Sequence, residues 1–279
     1  MKAAITLTSA ESRRLIAKAV VQMPEIKAAL ETAYILLGGG TTNAYVAQEL
    51  LGRDFEPCRF TAGINSNGLL CTTTPEERIP FPIILYKGQE VQKTIREAFD
   101  DFHKETVVIK GANAIDSEGN VGVITAGFDG GTVPQIMGTI TSQGLKLIVP
   151  VGLEKFVRSV KDAANSVGAK TFDYTMGADF GMFCITNATP VTEIEALKIL
   201  FGVEAKHIAS GGVGGSEGSV VLAFTGEEAN VKEAIALLES IKGEKPAKGI
   251  KVHCENCRYA CRWAGTKVAD LPAWMREGR

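Results

Sequence analysis

The chain has 279 residues, 45% hydrophobic and 22% charged, ordinary globular proportions that leave disordered, collagen-like and coiled-coil readings without support. At about 150 residues per domain the length fits two domains, or one large α/β domain with an appendage. Lys and Arg number 30 against 32 Asp and Glu, a formal charge of -2, so no net field draws in a nucleic-acid backbone or an anionic membrane, and any anion site must be local. The opening MKAAITLTSAESRRLIAKAV has neither a long uncharged apolar stretch nor a small-residue cleavage site, and no membrane-length apolar run occurs elsewhere. The expectation is a cytoplasmic protein with no nucleic-acid and no membrane partner. A homo-oligomer accords with general frequency alone.

In chain order, Thr8-Ser9-Ala10-Glu11 reads as a capping box, with the Thr hydroxyl accepting a first-turn amide and Glu returning the bond, so a helix should run to about Gln22. Pro24 suits the first turn of a second, short helix. Residues 33–37 are a continuous apolar run ending in Gly38-Gly39-Gly40. After Thr41-Thr42, the positions Ala44, Val46, Ala47, Leu50 and Leu51 have helical period, giving strand, glycine turn, helix. The stretch 58–86 breaks this rhythm with a hairpin signal at Asn65-Ser66-Asn67-Gly68 and prolines at Pro80 and Pro82; it is expected to cross the rim of the sheet. Strands follow at 106–109 and 121–125, a helix at 133–143, a strand at 145–149 closed by Pro150, and an amphipathic helix at 154–167. Short apolar strands alternating with helices predict an α/β fold: an open, largely parallel sheet with helices on both faces.

After residue 180 the order becomes strand (182–186), helix (192–201), strand (205–209), strand (219–224), helix (227–241) and strand (250–252), the β-α-β-β-α-β succession of a smaller ferredoxin-like α+β domain. The glycine-rich run 211–218 inside it reads as a flexible hairpin loop. The expected layout is an α/β ligand-binding domain over 1–178, a ferredoxin-like domain over 179–245 and a Cys-rich tail over 246–279.

Three loops carry chemistry. In Gly38-Gly39-Gly40-Thr41-Thr42 the glycines admit close approach of a ligand, while free amides, a threonine hydroxyl and the positive end of a helix converge, which suits phosphate or carboxylate. For an isolated glycine run the alternative is a tight turn that binds nothing; a Walker loop is excluded because no Gly-Lys-Ser/Thr follows. Lys110-Gly111-Ala112-Asn113-Ala114-Ile115-Asp116 directly follows a strand, hence lies at a carboxyl end, where open α/β sheets place ligands. Gly127-Phe128-Asp129-Gly130-Gly131-Thr132 follows the next strand and precedes a helix. The expected pocket has Gly39, Gly40, Thr41, Thr42, Gly111, Gly130, Gly131 and Thr132 around a small anionic ligand. Lys110 neutralises its charge, Asn113 lies beside it, and Asp116 or Asp129 moves protons. No nicotinamide or flavin signature is present.

The strand followed by Gly-Gly-Gly-Thr-Thr-Asn-Ala-Tyr-Val-Ala-Gln-Glu-Leu resembles the first phosphate-binding turn of the superfamily of ribose-5-phosphate isomerases, glucosamine-6-phosphate deaminases and CoA transferases. Lys-Gly-Ala-Asn-Ala-Ile-Asp-Ser-Glu-Gly-Asn-Val-Gly resembles the Gly-Ala-Asp loop of ribose- and methylthioribose-phosphate isomerases and sugar-sensing repressors. Lactate-utilisation domains have a similar glycine pattern. The likeness covers roughly residues 30 to 155 and implies a pocket for a phosphorylated sugar, a nucleotide or a CoA-like ligand. Where those isomerases carry a catalytic aspartate this chain has Asn113, and an amide cannot act as a carboxylate base, so the resemblance implies the pocket more strongly than the isomerisation.

Six cysteines in a chain this long do not make the dense framework of a secreted domain; reduced thiols with one cluster fit better. Cys254, Cys257 and Cys261 form C-x2-C-x3-C, three ligands within one local segment. Zinc would need a fourth ligand, from His253, Cys58, Cys71, Cys184 or a neighbouring subunit. A cubane iron–sulfur cluster could leave one iron open, with Arg258, Arg262 and Lys267 offsetting its charge. Free or disulfide-linked thiols in an unstructured tail are the alternative, although Trp263, Leu271, Pro272 and Trp274 argue for packing. Three functions therefore stand side by side: isomerase- or transferase-like chemistry on a phosphorylated ligand, a non-catalytic ligand sensor or assembly protein, and electron transfer or cofactor maturation through an iron–sulfur or zinc site.

Overall fold

The computed structural model describes residues 1–126, 130–259 and 261–276. Along the chain run β1 (Lys2–Leu7), α1 (Ser9–Val20), α2 (Pro24–Thr32), β2 (Tyr34–Leu37) and α3 (Thr41–Leu51). The rim segment holds the hairpin β3 (Gly63–Ser66) and β4 (Leu69–Thr72), then β5 (Ile83–Tyr86), β6 (Gln89–Glu90) and α4 (Ile95–Ala98). There follow β7 (Val107–Ile109), β8 (Ala114–Ile115), β9 (Val121–Thr125), α5 (Thr132–Gln143), β10 (Lys146–Pro150) and α6 (Val160–Asn165). The last part contains β11 (Gly181–Ile185), β12 (Thr189–Val191), α7 (Glu193–Phe201), β13 (Glu204–Gly211), β14 (Ser219–Thr225), α8 (Glu228–Ser240) and α9 (Ala273–Arg276).

The central sheet is six-stranded in the order β12-β10-β7-β2-β5-β6. Its first four strands are mutually parallel, and β5 joins antiparallel. All four residues of β2 are buried because both faces of the sheet are covered. Ile35 and Leu37 point into a cluster with Leu15 and Ile16 of α1, Ile26 of α2 and Val46 of α3. Tyr34 and Leu36 point the other way, toward Val133, Ile136 and Ile140 of α5 and Val121 and Val123 of β9. Each such apolar side chain contributes roughly 1.5–3 kcal/mol. The capping box forms as expected, with the Glu11 carboxylate accepting the Thr8 N–H at 2.9 Å.

Two expectations change. The helix expected over 154–167 is shorter: Leu153–Lys155 is a single 3-10 turn and α6 begins only at Val160, capped by Ser159. The intervening chain is held extended, with the Val157 N–H donating to the Ile115 carbonyl at 2.8 Å. The ferredoxin-like arrangement is replaced by a three-stranded antiparallel sheet, β1-β14-β13. Its first strand is the N-terminal one, which pairs with β14 from Lys2↔Thr225 to Leu7↔Val220. The expected strand near 182–186 pairs instead with β9, and 250–252 is not a strand. Leu7, Val220, Leu222 and Phe224 of the small sheet share one apolar cluster with Leu197, Val231 and Leu238, and with Ile35 and Ile109 of the central sheet. Among the described residues no helix is long and apolar enough to cross a membrane.

Candidate functional site at the carboxyl edge of the parallel strands

Parallel strands bring their carboxyl ends to one edge. There β2 runs into Gly38–Gly40, β7 into Lys110 and Gly111, β10 into Gly152 and Lys155, and β12 into Thr192 and Glu193. The first two turns lie side by side: the Gly38 N–H donates to the Ile109 carbonyl at 2.9 Å and the Gly40 N–H to the Phe60 carbonyl at 2.8 Å. Gly39 is squeezed between elements, since a Cβ there would stand 3.0 Å from the Phe81 ring and 3.1 Å from the Phe60 oxygen. Asn43, fully buried on the first turn of α3, clamps both turns by donating Nδ2 to the Gly38 carbonyl at 2.7 Å and to the Ile109 carbonyl at 3.3 Å. Its Oδ1 and the buried Thr42 Oγ1 have no hydrogen-bond partner, an arrangement that costs free energy unless a donor arrives.

Charge gathers on this edge. The half-buried Lys110 donates Nζ to the carbonyls of Gly39 and Gly111, both at 3.2 Å. Burial, and then the charge of Lys155, push its pKa down to about 8. Lys155, also half-buried, donates to the Ala112 carbonyl at 3.0 Å. Burial and the nearby Arg13 bring it to about 8 as well, against the pull of Glu154 and Glu193. Glu154 is bound by Arg13 at 2.8 Å and by the Ser9 hydroxyl. Burial alone would raise its pKa, but the Arg13 and Lys155 charges and these hydrogen bonds hold it below the usual range. Glu193 is fully buried, accepts the Leu153 N–H at 3.0 Å, and is pushed upward by burial. Two ammonium groups and a guanidinium thus stand against the two carboxyls of Glu154 and Glu193, the charged form of the latter disfavoured by burial. That surplus of positive charge favours an anion.

The structure places the sequence-derived residues unevenly. Gly39, Gly40, Thr41, Thr42, Lys110 and Gly111 come together. Asn113 is committed to structure: its Oδ1 accepts the Ile124 N–H at 2.9 Å, locking the start of β8 onto β9. Asp116 is also a structural group. It accepts from the N–H groups of Glu118, Asn120 and Val160 and from the Asn120 side chain, at 2.9–3.1 Å. Burial works against the ionised form, but these donors together hold its pKa below the usual range, which makes it a weak base. The third loop does not follow a strand of the same sheet, because β9 belongs to the separate sheet β11-β9-β8. Gly130 and Gly131, both at positive φ, lead into α5 at Thr132; Gly127, Phe128 and Asp129 lie outside the described residues. Sequence reading missed Arg13, Glu154, Lys155 and Glu193. The signal was Gly-Leu-Glu-Lys directly after an apolar strand, obscured by assigning Glu154 to a helix.

Phe81, the ring against Gly39, also lines a cleft of about 1210 Å3 with Lys93, Arg96, Gln135 and Thr139; Lys110 and Lys155 are outside that lining. At the other end of the chain, Cys254, Cys257 and Cys261 line one small cavity with Cys71 and Trp263. All six cysteines are free thiols. Among the described residues no group of three or more His, Cys, Asp or Glu side chains is placed to hold a metal ion.

Comparison with known proteins found no matching family model and no match among curated proteins. Among solved structures, the chain is similar to a D-ribose-5-phosphate isomerase in complex with phospho-erythronic acid. The TM-score is 0.29 and the identity 16%, over 81% of this chain and 84% of that one.

Proposed function

We propose that the chain binds a small phosphorylated anion of the sugar-phosphate class at the carboxyl edge of its parallel strands. The observation that carries this reading is the grouping of Lys110 and Lys155 beside the glycine turn and first turn of α3, two half-buried amines each lowered to about 8, Lys110 by burial and the charge of Lys155, Lys155 by burial and the charge of Arg13. A dianionic phosphate offsets those positive charges. It also accepts hydrogen bonds from amides at the positive end of the helix. Binding without turnover, as in a ligand sensor, is the second reading, and it is favoured by the commitment of Asn113 and Asp116 to structural hydrogen bonds.

The test is equilibrium binding of D-ribose 5-phosphate with D-ribose as the uncharged control. The wild-type chain should bind the ester and not the sugar. Lys110→Met and Lys155→Met should each weaken the ester by about tenfold or more, the loss of one charge-assisted contact, with unchanged circular dichroism. Equal affinity for ester and sugar, or full affinity in both variants, overturns the reading.

A further inference from the structure

The C-terminal segment is seated on the β3–β4 hairpin. The Ser66 hydroxyl donates to the Gly249 carbonyl at 2.7 Å, the Val252 N–H to the Thr72 carbonyl at 2.8 Å, and the Ile250 N–H to the Cys58 Sγ at 3.4 Å. The tail then folds back, with the Gly265 N–H on the Cys254 carbonyl at 2.8 Å and the Cys257 N–H on the same carbonyl at 3.1 Å. A third strand of contact closes the arrangement. Ala178 makes a bridge with Cys261 and donates its N–H to the Leu70 carbonyl at 2.8 Å. Gly177 is required for that approach: its φ is +112° and a Cβ there would lie 2.1 Å from the Leu70 oxygen. Residues distant in sequence are thereby brought around one point, so that Cys71, Cys254, Cys257 and Cys261 line the same cavity.

We propose that Cys71, Cys254, Cys257 and Cys261 are the four thiolate ligands of a cubane iron–sulfur cluster. The spacing selects the cluster over zinc. All four thiols line one small cavity. The same four thiols are not placed around a single ion, whereas in a cubane each sulfur bonds its own iron and the sulfurs stand apart. Other groups at the site suit a cluster of net negative charge. The Lys251 ammonium is 3.9 Å from the Cys254 Sγ, and the Arg262 guanidinium sits 4.9 Å from the Trp263 ring centroid. The Trp263 indole N–H is buried without a partner, a donor suited to a bridging sulfide. Cys58 and Cys184 are outside the lining, and Cys58 is already engaged by Ile250.

The experiment offers the anaerobic chain a preassembled cubane cluster carried by small thiolates. Four cysteine thiols bond the four irons, and the displaced small thiolates leave with the protons, with no change in oxidation state. About four irons and four acid-labile sulfides per chain are expected, with the visible absorption of sulfide-to-iron charge transfer. Cys58→Ala and Cys184→Ala should match wild type, while Cys71→Ala and Cys257→Ala should fall below four irons and change the spectrum. In wild type, loading should protect these four cysteines from alkylation and leave Cys184 as reactive as before, a readout independent of how any variant folds. No uptake by wild type, tight binding of a single zinc in place of the cluster, or undiminished protection-free reactivity of Cys71 in loaded wild type overturns the proposal. None of these outcomes bears on the anion reading, which involves neither the tail nor the hairpin.

Discussion

At the scale of single residues, Lys110 was legible because a lysine immediately after a buried strand of a parallel sheet must sit at a carboxyl end. Lys155 was not, since its neighbours have helical period and only the extended segment before α6 turns it inward. The lysine pair carries a pH signature. Each folded pKa is near 8, below the model-peptide value of about 10.4. From about pH 8 to about pH 10.4 the folded chain has shed protons that the unfolded chain still holds, so the unliganded protein gains stability with rising pH through that window. Lys110→Met should accordingly raise the unfolding free energy near neutral pH, by about 1 kcal/mol, measured by denaturant titration, while weakening anion binding. Asp116 works in the opposite sense. Its lowered pKa contributes stability above the unfolded carboxyl value, lost as pH falls through the folded one. Asp116→Ala leaves buried donors without an acceptor and should cost about 2–4 kcal/mol in the same titration.

At the scale of elements, the glycine turns, the capping box and the helices of the first half follow from local patterns that tertiary packing did not override. β1 escaped notice because Lys2–Leu7 alternates only weakly and the capping box drew the reading to the helix behind it. Yet Leu7 is fully buried and pairs opposite Val220. Leu7→Ala should therefore destabilise the chain by about 2–4 kcal/mol, against less than about 0.5 kcal/mol for the exposed Lys2→Ala, both read from thermal or denaturant unfolding. The split β-α-β-β-α-β pattern differs for a related reason: strand order is decided by which edges are open, and β14 is paired on both sides by β1 and β13 while β11 pairs with β9. Gly177→Ala should cost more than about 2 kcal/mol, because both the positive φ and the contact with Leu70 oppose a methyl group. The same change should loosen the tail, seen as faster proteolysis after Gly249.

At the scale of the whole molecule, the small sheet and the central sheet bury their apolar faces in one continuous cluster from Leu7 to Ile241. A shared core predicts a single cooperative unfolding transition for that span, with calorimetric and van't Hoff enthalpies in agreement; two resolved transitions would instead support the boundary near residue 179 expected from the element order. The edge cluster sits where these layers meet, with Arg13 from α1 and Lys110, Glu154 and Glu193 from the ends of central strands. That convergence depends on tertiary structure and could not be read from any one segment. Its central claim is that Lys110 and Lys155 together hold a phosphate. Calorimetric titration with inorganic phosphate at about pH 7 and about pH 9.5 tests it most directly, because protonated amines at both positions are needed. Affinity should drop by about tenfold or more at the higher pH and proton uptake should accompany binding there; equal affinity at both pH values, without proton uptake, would contradict it.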